Sequence, residues 1–167
     1  GNASSLITNT AQFVFNDGVR TGAQTIDSNP VQTAVPALPP RIAYFADPQY
    51  QQGLRVMPVG RRFFVEADAA QCNIDPQRVE TKRVTVRSAL TGDVETYQAE
   101  ETGPNTGVFH VQPHIQSVDV GQTPAVPGDG LVSTRKDDRI TTALEGCGAV
   151  RIEISLLIDP FGVVYDS

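Results

Sequence analysis

The run Gly103-Pro104-Asn105-Thr106-Gly107, followed at once by Val108-Phe109-His110-Val111, leaves the backbone few options. Glycine and asparagine tolerate positive φ, and proline pre-sets φ for a tight corner. The segment therefore reads as a turn that feeds a strand. Upstream, Thr91-Gly92-Asp93 is another turn, and Val94-Glu95-Thr96-Tyr97-Gln98-Ala99 is another strand. The two strands predict a β-hairpin or a sheet-switching corner.

The same grammar recurs along the chain. Strand patterns fall at residues 11–15, 31–35, 41–45, 54–56, 62–67, 82–88, 115–118, 131–134, 139–143 and 150–158. Asn16-Asp17-Gly18, Ser28-Asn29-Pro30 and Asp47-Pro48 read as turns between them. In the 82–88 segment Val84 and Val86 alternate with Arg83, Thr85 and Arg87, which predicts one buried and one wet face. Val150, Ile152, Ile154, Leu156 and Ile158 likewise share a face. No window sustains apolar spacing at i, i+3, i+4 with capping. The prediction is an all-β, antiparallel β-sandwich with very little helix.

Pro36-Ala37-Leu38-Pro39-Pro40 forces extended backbone and removes donors, so a boundary is placed there. Residues 1–38 then form a first segment and residues 39–159 the main sandwich. Residues 160–167, with Phe161-Gly162-Val163-Val164-Tyr165 as a strand, open a further unit. The 14 glycines and 12 prolines are spread throughout, as suits many short strands joined by turns.

The net charge of −6 argues against nucleic acid or an anionic membrane surface as partner. The basic group Arg78, Lys82, Arg83 and Arg87 reads as a solvated face. No apolar run is long enough for a membrane-spanning helix. No signal peptide is evident, and the chain has the look of a piece of a longer protein.

Cys72 and Cys147 both sit in turn-like settings. In an oxidising compartment such a pair is expected to close a disulfide; otherwise they are two separate thiols. Asp68, Asn73, Asp75, Asp93 and Glu95 supply the hard oxygens that calcium takes. Their spacing fits no EF-hand, and Asp and Asn are ordinary turn residues, so solvated loops are the preferred reading. His110 and His114 lack a third ligand nearby, and surface histidines are expected. Glu100 and Glu101 point to opposite faces of a strand and cannot flank one scissile bond. With no nucleophile motif either, no catalytic residues are assigned, no enzyme is expected and no cofactor is required. An isopeptide link would need Lys82 or Lys136 beside a buried carboxylate, a placement that neither a strand start nor a turn favours.

Several stretches resemble a known kind of module. These are Asp68 with Asn73-Ile74-Asp75-Pro76, Glu80-Thr81 before an alternating strand, Thr91-Gly92-Asp93-Val94-Glu95, and Glu101-Thr102-Gly103-Pro104-Asn105-Thr106-Gly107-Val108-Phe109. Together they are similar to modules strung in tandem in very large bacterial surface and secreted repeat proteins. Asn9-Thr10-Ala11 and Ser28-Asn29-Pro30-Val31 resemble the last strands of a DUF11-type repeat. Asp159-Pro160-Phe161-Gly162-Val163-Val164-Tyr165-Asp166-Ser167 is similar to the opening of an immunoglobulin-like or carboxypeptidase-regulatory-like repeat. The resemblance implies an immunoglobulin-like sandwich on the bacterial cell exterior, acting as an adhesin-like structural spacer. Its partners would be neighbouring repeats or another surface or host protein. It also suits a disulfide, and it carries no catalytic residues over. The other reading is a protein- or carbohydrate-binding sandwich using the loop at residues 121–130 or an edge strand. The lack of tryptophan and the presence of only four tyrosines count against glycans.

Overall fold

The computed structural model describes residues 5–35, 39–147 and 152–159. The chain divides between Leu38 and Pro39 into two compact units, at the proline-rich boundary. Both are built of β-structure; the only helical element among the described residues is a single 3-10 turn. The predicted strand at 161–165 and residues Val150 and Arg151 lie outside the described residues.

The first unit is a two-stranded ribbon. Strands β1 (Ser5–Asn9) and β2 (Gln12–Phe15) run one way, and β3 (Gln24–Asp27) and β4 (Val31–Val35) return. β2 pairs with β3, and β1 with β4, both antiparallel. The register slips where the pairs meet. Phe13 faces Ile26, Ala11 is hydrogen-bonded to Ser28, and Asn9 faces Val31. Three residues, Ser28-Asn29-Pro30, therefore stand opposite two, Thr10-Ala11. The segment predicted as a turn is a β-bulge, in which proline is tolerated because the bulge leaves it without a ladder partner.

The second unit holds the core. Its strands are β5 (Arg41–Phe45), β6 (Gly53–Leu54), β7 (Val56–Pro58), β8 (Arg62–Asp68), β9 (Thr81–Ser88), β10 (Val94–Glu101), β11 (Val108–Gln112), β12 (Ile115–Asp119), β13 (Leu131–Thr134), β14 (Arg139–Leu144) and β15 (Ile152–Asp159). The spatial order is β13-β12-β8-β11-β10-β9-β14-β15-β7, with β5 also on β8. Glu101 faces Phe109 across β10 and β11, so the turn at 102–107 closes a hairpin, as the sequence predicts. The architecture is all-β and sandwich-like, with the main sheet curled nearly into a barrel. The Tyr44 hydroxyl on β5 donates to the Ile154 carbonyl on β15 at 2.9 Å, bringing the two ends of the curl together.

Pairing is antiparallel except at β12–β13 and β15–β7, which are parallel. The strand expected over 54–56 is split at Arg55. β6 stays on β5, whereas β7 joins β15, so the chain changes neighbours within one residue.

The inward sets follow the period of two. Phe63, Val65 and Ala67 of β8, Val84 and Val86 of β9, and Phe109 and Val111 of β11 are all buried. Ile152, Leu156 and Ile158 complete the core from β15. Each large side chain so placed contributes roughly 1.5–3 kcal/mol by leaving water. Cys72, in the 3-10 turn Ala70–Cys72, is disulfide-bonded to Cys147, just beyond β14.

Candidate functional site

Two groups of side chains stand out in the second unit: a ring cluster on the outer face and a set of carboxylates inside. The outer cluster begins with a loop. The Asp47 carboxylate accepts N–H bonds from Gln49 at 3.0 Å, Gln51 at 3.1 Å and Gln52 at 2.6 Å. These donors, Gln52 foremost, hold its acidity stronger than an ordinary aspartate's. The tight loop places Tyr50 at φ 56°, in the left-handed region that non-glycine residues seldom occupy.

So placed, the Tyr50 ring lies on His110, with centroids 3.6 Å apart and planes 16° off parallel. It meets Phe45 and Phe64 edge-on at 5.5 and 6.0 Å. His110 in turn is paired through Nε2 with the Glu66 carboxylate at 2.9 Å. His114 lies 6.0 Å from Phe64. Phe64, Glu66 and His110 share a patch because Phe64 and Glu66 are the outward residues of β8 and Glu66 faces His110 in register. Burial, and then the Glu66 charge, raise the Tyr50 phenol above its usual pKa. The patch offers ring area and one imidazole–carboxylate pair, which suits stacking and hydrogen bonding to a ligand.

The inner group is four buried carboxylates: Asp93, Glu95, Glu101 and Asp138. Each accepts from loop groups. Glu95 takes Gly128 N–H and Gly130 N–H, both at 2.7 Å. Glu101 takes Gly107 N–H at 2.7 Å and Thr106 N–H at 2.9 Å, and its other oxygen takes Glu80 N–H at 3.3 Å. Asp93 takes Ser133 N–H at 2.7 Å. Asp138 takes the Ser88 hydroxyl at 2.6 Å and the N–H groups of Leu90 and Arg139. A buried carboxylate is costly unless its lone pairs are met in this way.

These contacts bear on the calcium candidates. Asp93 and Glu95 turn inward and accept from the 128–133 backbone. Asp68 lies outside, paired with Arg41 at 3.2 Å. Asn73 donates to the Asn105 side chain, and Asp75 caps Gln77 N–H. The five are not brought together, and no group of three or more metal-ligating side chains forms among the described residues.

Lys82 is a surprise of a different kind. It lies on the inward phase of β9, with its ammonium 3.8 Å from Glu80 and both side chains largely covered. Of the basic group, Arg83 and Arg87 do lie on the exposed face. Glu100 is exposed and Glu101 buried, as their adjacent positions require. The loop at 121–130 is pinned at its far end through Gly128 and Gly130. Beside it, a polar hollow of about 340 Å³ runs over Ser117, Asp119, Gln122 and Thr123. The ring cluster has no counterpart in the sequence reading. The glutamine-rich loop around Tyr50 carries no periodic signal, and only the outward phase of Phe64 hinted at it.

Neither a scan against protein-family models nor a search of curated proteins finds a match to this chain.

Proposed function

We propose that this chain is a structural module of an exported bacterial protein, an immunoglobulin-like spacer that keeps its length and presents its loops. One observation carries the reading: the buried carboxylates are spent on the backbone of the loops around them. In an enzyme, acids of this kind would face a cleft with free lone pairs. Here they make the turns at 102–107 and 128–130 part of the rigid body. The disulfide supports export, because such bonds persist in oxidising compartments. Thiol titration of the protein, alkylated as its native cells are opened, tests this. Full oxidation is expected; a mainly reduced pair would sink the export reading.

A second reading is favoured by Tyr50. A ring held at positive φ over His110 is a costly arrangement for a passive surface. On this reading the outer patch binds a protein or glycan by stacking. Immobilised chain screened against glycans and matrix proteins separates the two. Saturable binding that Tyr50→Ala abolishes would establish the second, and no binding is expected on the first.

A further inference from the structure

The ribbon of the first unit has one mainly apolar face and one mixed face. Alternation from the register puts Ile7, Ala11, Phe13 and Phe15 on the same side as Ile26 and Val31. The opposite side is mixed: Thr8, Gln12, Asp27 and Gln32 stand beside the exposed Leu6 and Val14, with Gln12 donating to Asp27 at 3.0 Å. The apolar face is open: Ile7 is 57%, Phe13 67%, Ile26 57% and Val31 65% exposed. A lone two-stranded ribbon is marginal in water, and a contiguous apolar patch marks an interaction surface.

We infer that this face docks onto the same face of a second copy of the chain, about a two-fold axis. Three features of the face select that occupant. The strand residues of this face carry no charge, and the Arg20 guanidinium, 3.5 Å from Gln24, stands at the Phe15 end, so an end-for-end pairing keeps the two copies' charges apart. Its relief is self-complementary. Phe13 and Phe15 stack with centroids 5.7 Å apart and form a knob. Toward the other end, Ile7, Asn9, Ala11, Ser28, Val31 and Thr33 line an open hollow of about 370 Å³. Knob and hollow are ~5 residues apart along the strand, or ~17 Å. A two-fold axis midway, beside Ala11, seats the rings of each copy in the hollow of the other. This is the reciprocity that an isologous interface demands.

The extent also fits. A face ~11 residues long and two strands wide covers roughly 500–600 Å² on each copy, so the pair buries ~1,000–1,200 Å². That is the lower limit of specific association, and it implies a weak, concentration-dependent dimer.

The test is sedimentation equilibrium of the full chain from about 1 to about 200 µM, the range that brackets an interface of this size. The wild type should pass from monomer to dimer. Phe13→Thr, which keeps strand preference and removes the knob, should weaken dimerisation at least ~10-fold. Val14→Thr, on the opposite face, should change it less than ~3-fold. Should Phe13→Thr unravel the ribbon, cross-linking decides. Ala11→Cys beside the axis should join two copies under mild oxidation, and Gln12→Cys should not. A monomer at every concentration overturns the proposal. So does equal weakening by Val14→Thr, or Ala11→Cys cross-linking no faster than Gln12→Cys.

Discussion

Glu101 offers the sharpest test of how this fold is held. Its side chain is 3% exposed, while its neighbour Glu100 is in water. One oxygen gathers Gly107 N–H at 2.7 Å and Thr106 N–H at 2.9 Å. That turn cannot reorganise easily. Gly107 sits at φ 64°, and a Cβ on it would come 2.7 Å from the Ala70 backbone. Its carbonyl accepts Ala69 N–H at 2.8 Å, at the start of the 3-10 turn that carries Cys72. Glu101→Ala therefore strands the buried Gly107 N–H and frees the part-buried Thr106 N–H. Hydrogen bonds to a charged group contribute about 1.5–3 kcal/mol each, so losing both should cost about 3–6 kcal/mol, toward the lower end because water can reach the Thr106 N–H. Glu101→Gln keeps one acceptor but turns an amide N–H₂ toward other donors, and should cost about 1–3 kcal/mol. Glu100→Ala should stay within about 0.5 kcal/mol. Urea unfolding followed by far-UV circular dichroism measures all three. If Glu101→Ala fell within about 1 kcal/mol of wild type, the claim that inner carboxylates hold the loops would be refuted.

Other outcomes follow from the same structure. Replacing Cys72 and Cys147 by serine opens a loop of 75 residues and should cost about 4 kcal/mol, seen as a lower urea midpoint. Tyr44, Tyr97 and Tyr50 are all raised above the usual phenol value of 10.0, chiefly by burial. The unfolded chain releases these protons first, so their contribution is complete below about pH 10 and is lost as pH rises further. Urea midpoints at pH 8 and pH 11 should show the fall, and Tyr97→Phe should shrink it. Calcium should leave the melting temperature unchanged, since Asp93 and Glu95 already accept from backbone donors; a rise that EDTA reverses would contradict this.

Much of this was legible in the chain. The alternation at 82–88 and 152–158 named the apolar inward residues, Val84 and Val86 and then Ile152, Leu156 and Ile158, because packing selects one face of a strand and hydropathy reports it; Lys82 and Ser88, in phase with Val84 and Val86, escaped it because they are polar. The hairpin at 94–112 was legible for the same reason, its turn chemistry being local. The partners of β7 and β13 were not. Parallel pairing and the change of neighbour at Arg55 are set by how the sheet curls, which no local window records. The inner carboxylates were hidden by their own chemistry. Glu95 and Glu101 lie in phase with Tyr97 and Ala99, yet a polarity scale assigns them outward. Only the adjacent glycine-rich turns, with N–H groups to spare, hinted at what they meet. Tyr50 was illegible because its place depends on Asp47 cinching the loop beneath it.

The Cys72–Cys147 bond has a mechanical consequence. A pull applied at the two chain ends would pass through the sulfurs and skip residues 73–146 between them. About 250 Å of contour, at ~3.4 Å per residue, would stay out of the stretched path until that bond was reduced. The strands from β9 to β14 would then act as a spooled reserve, released by a reductant and not by tension.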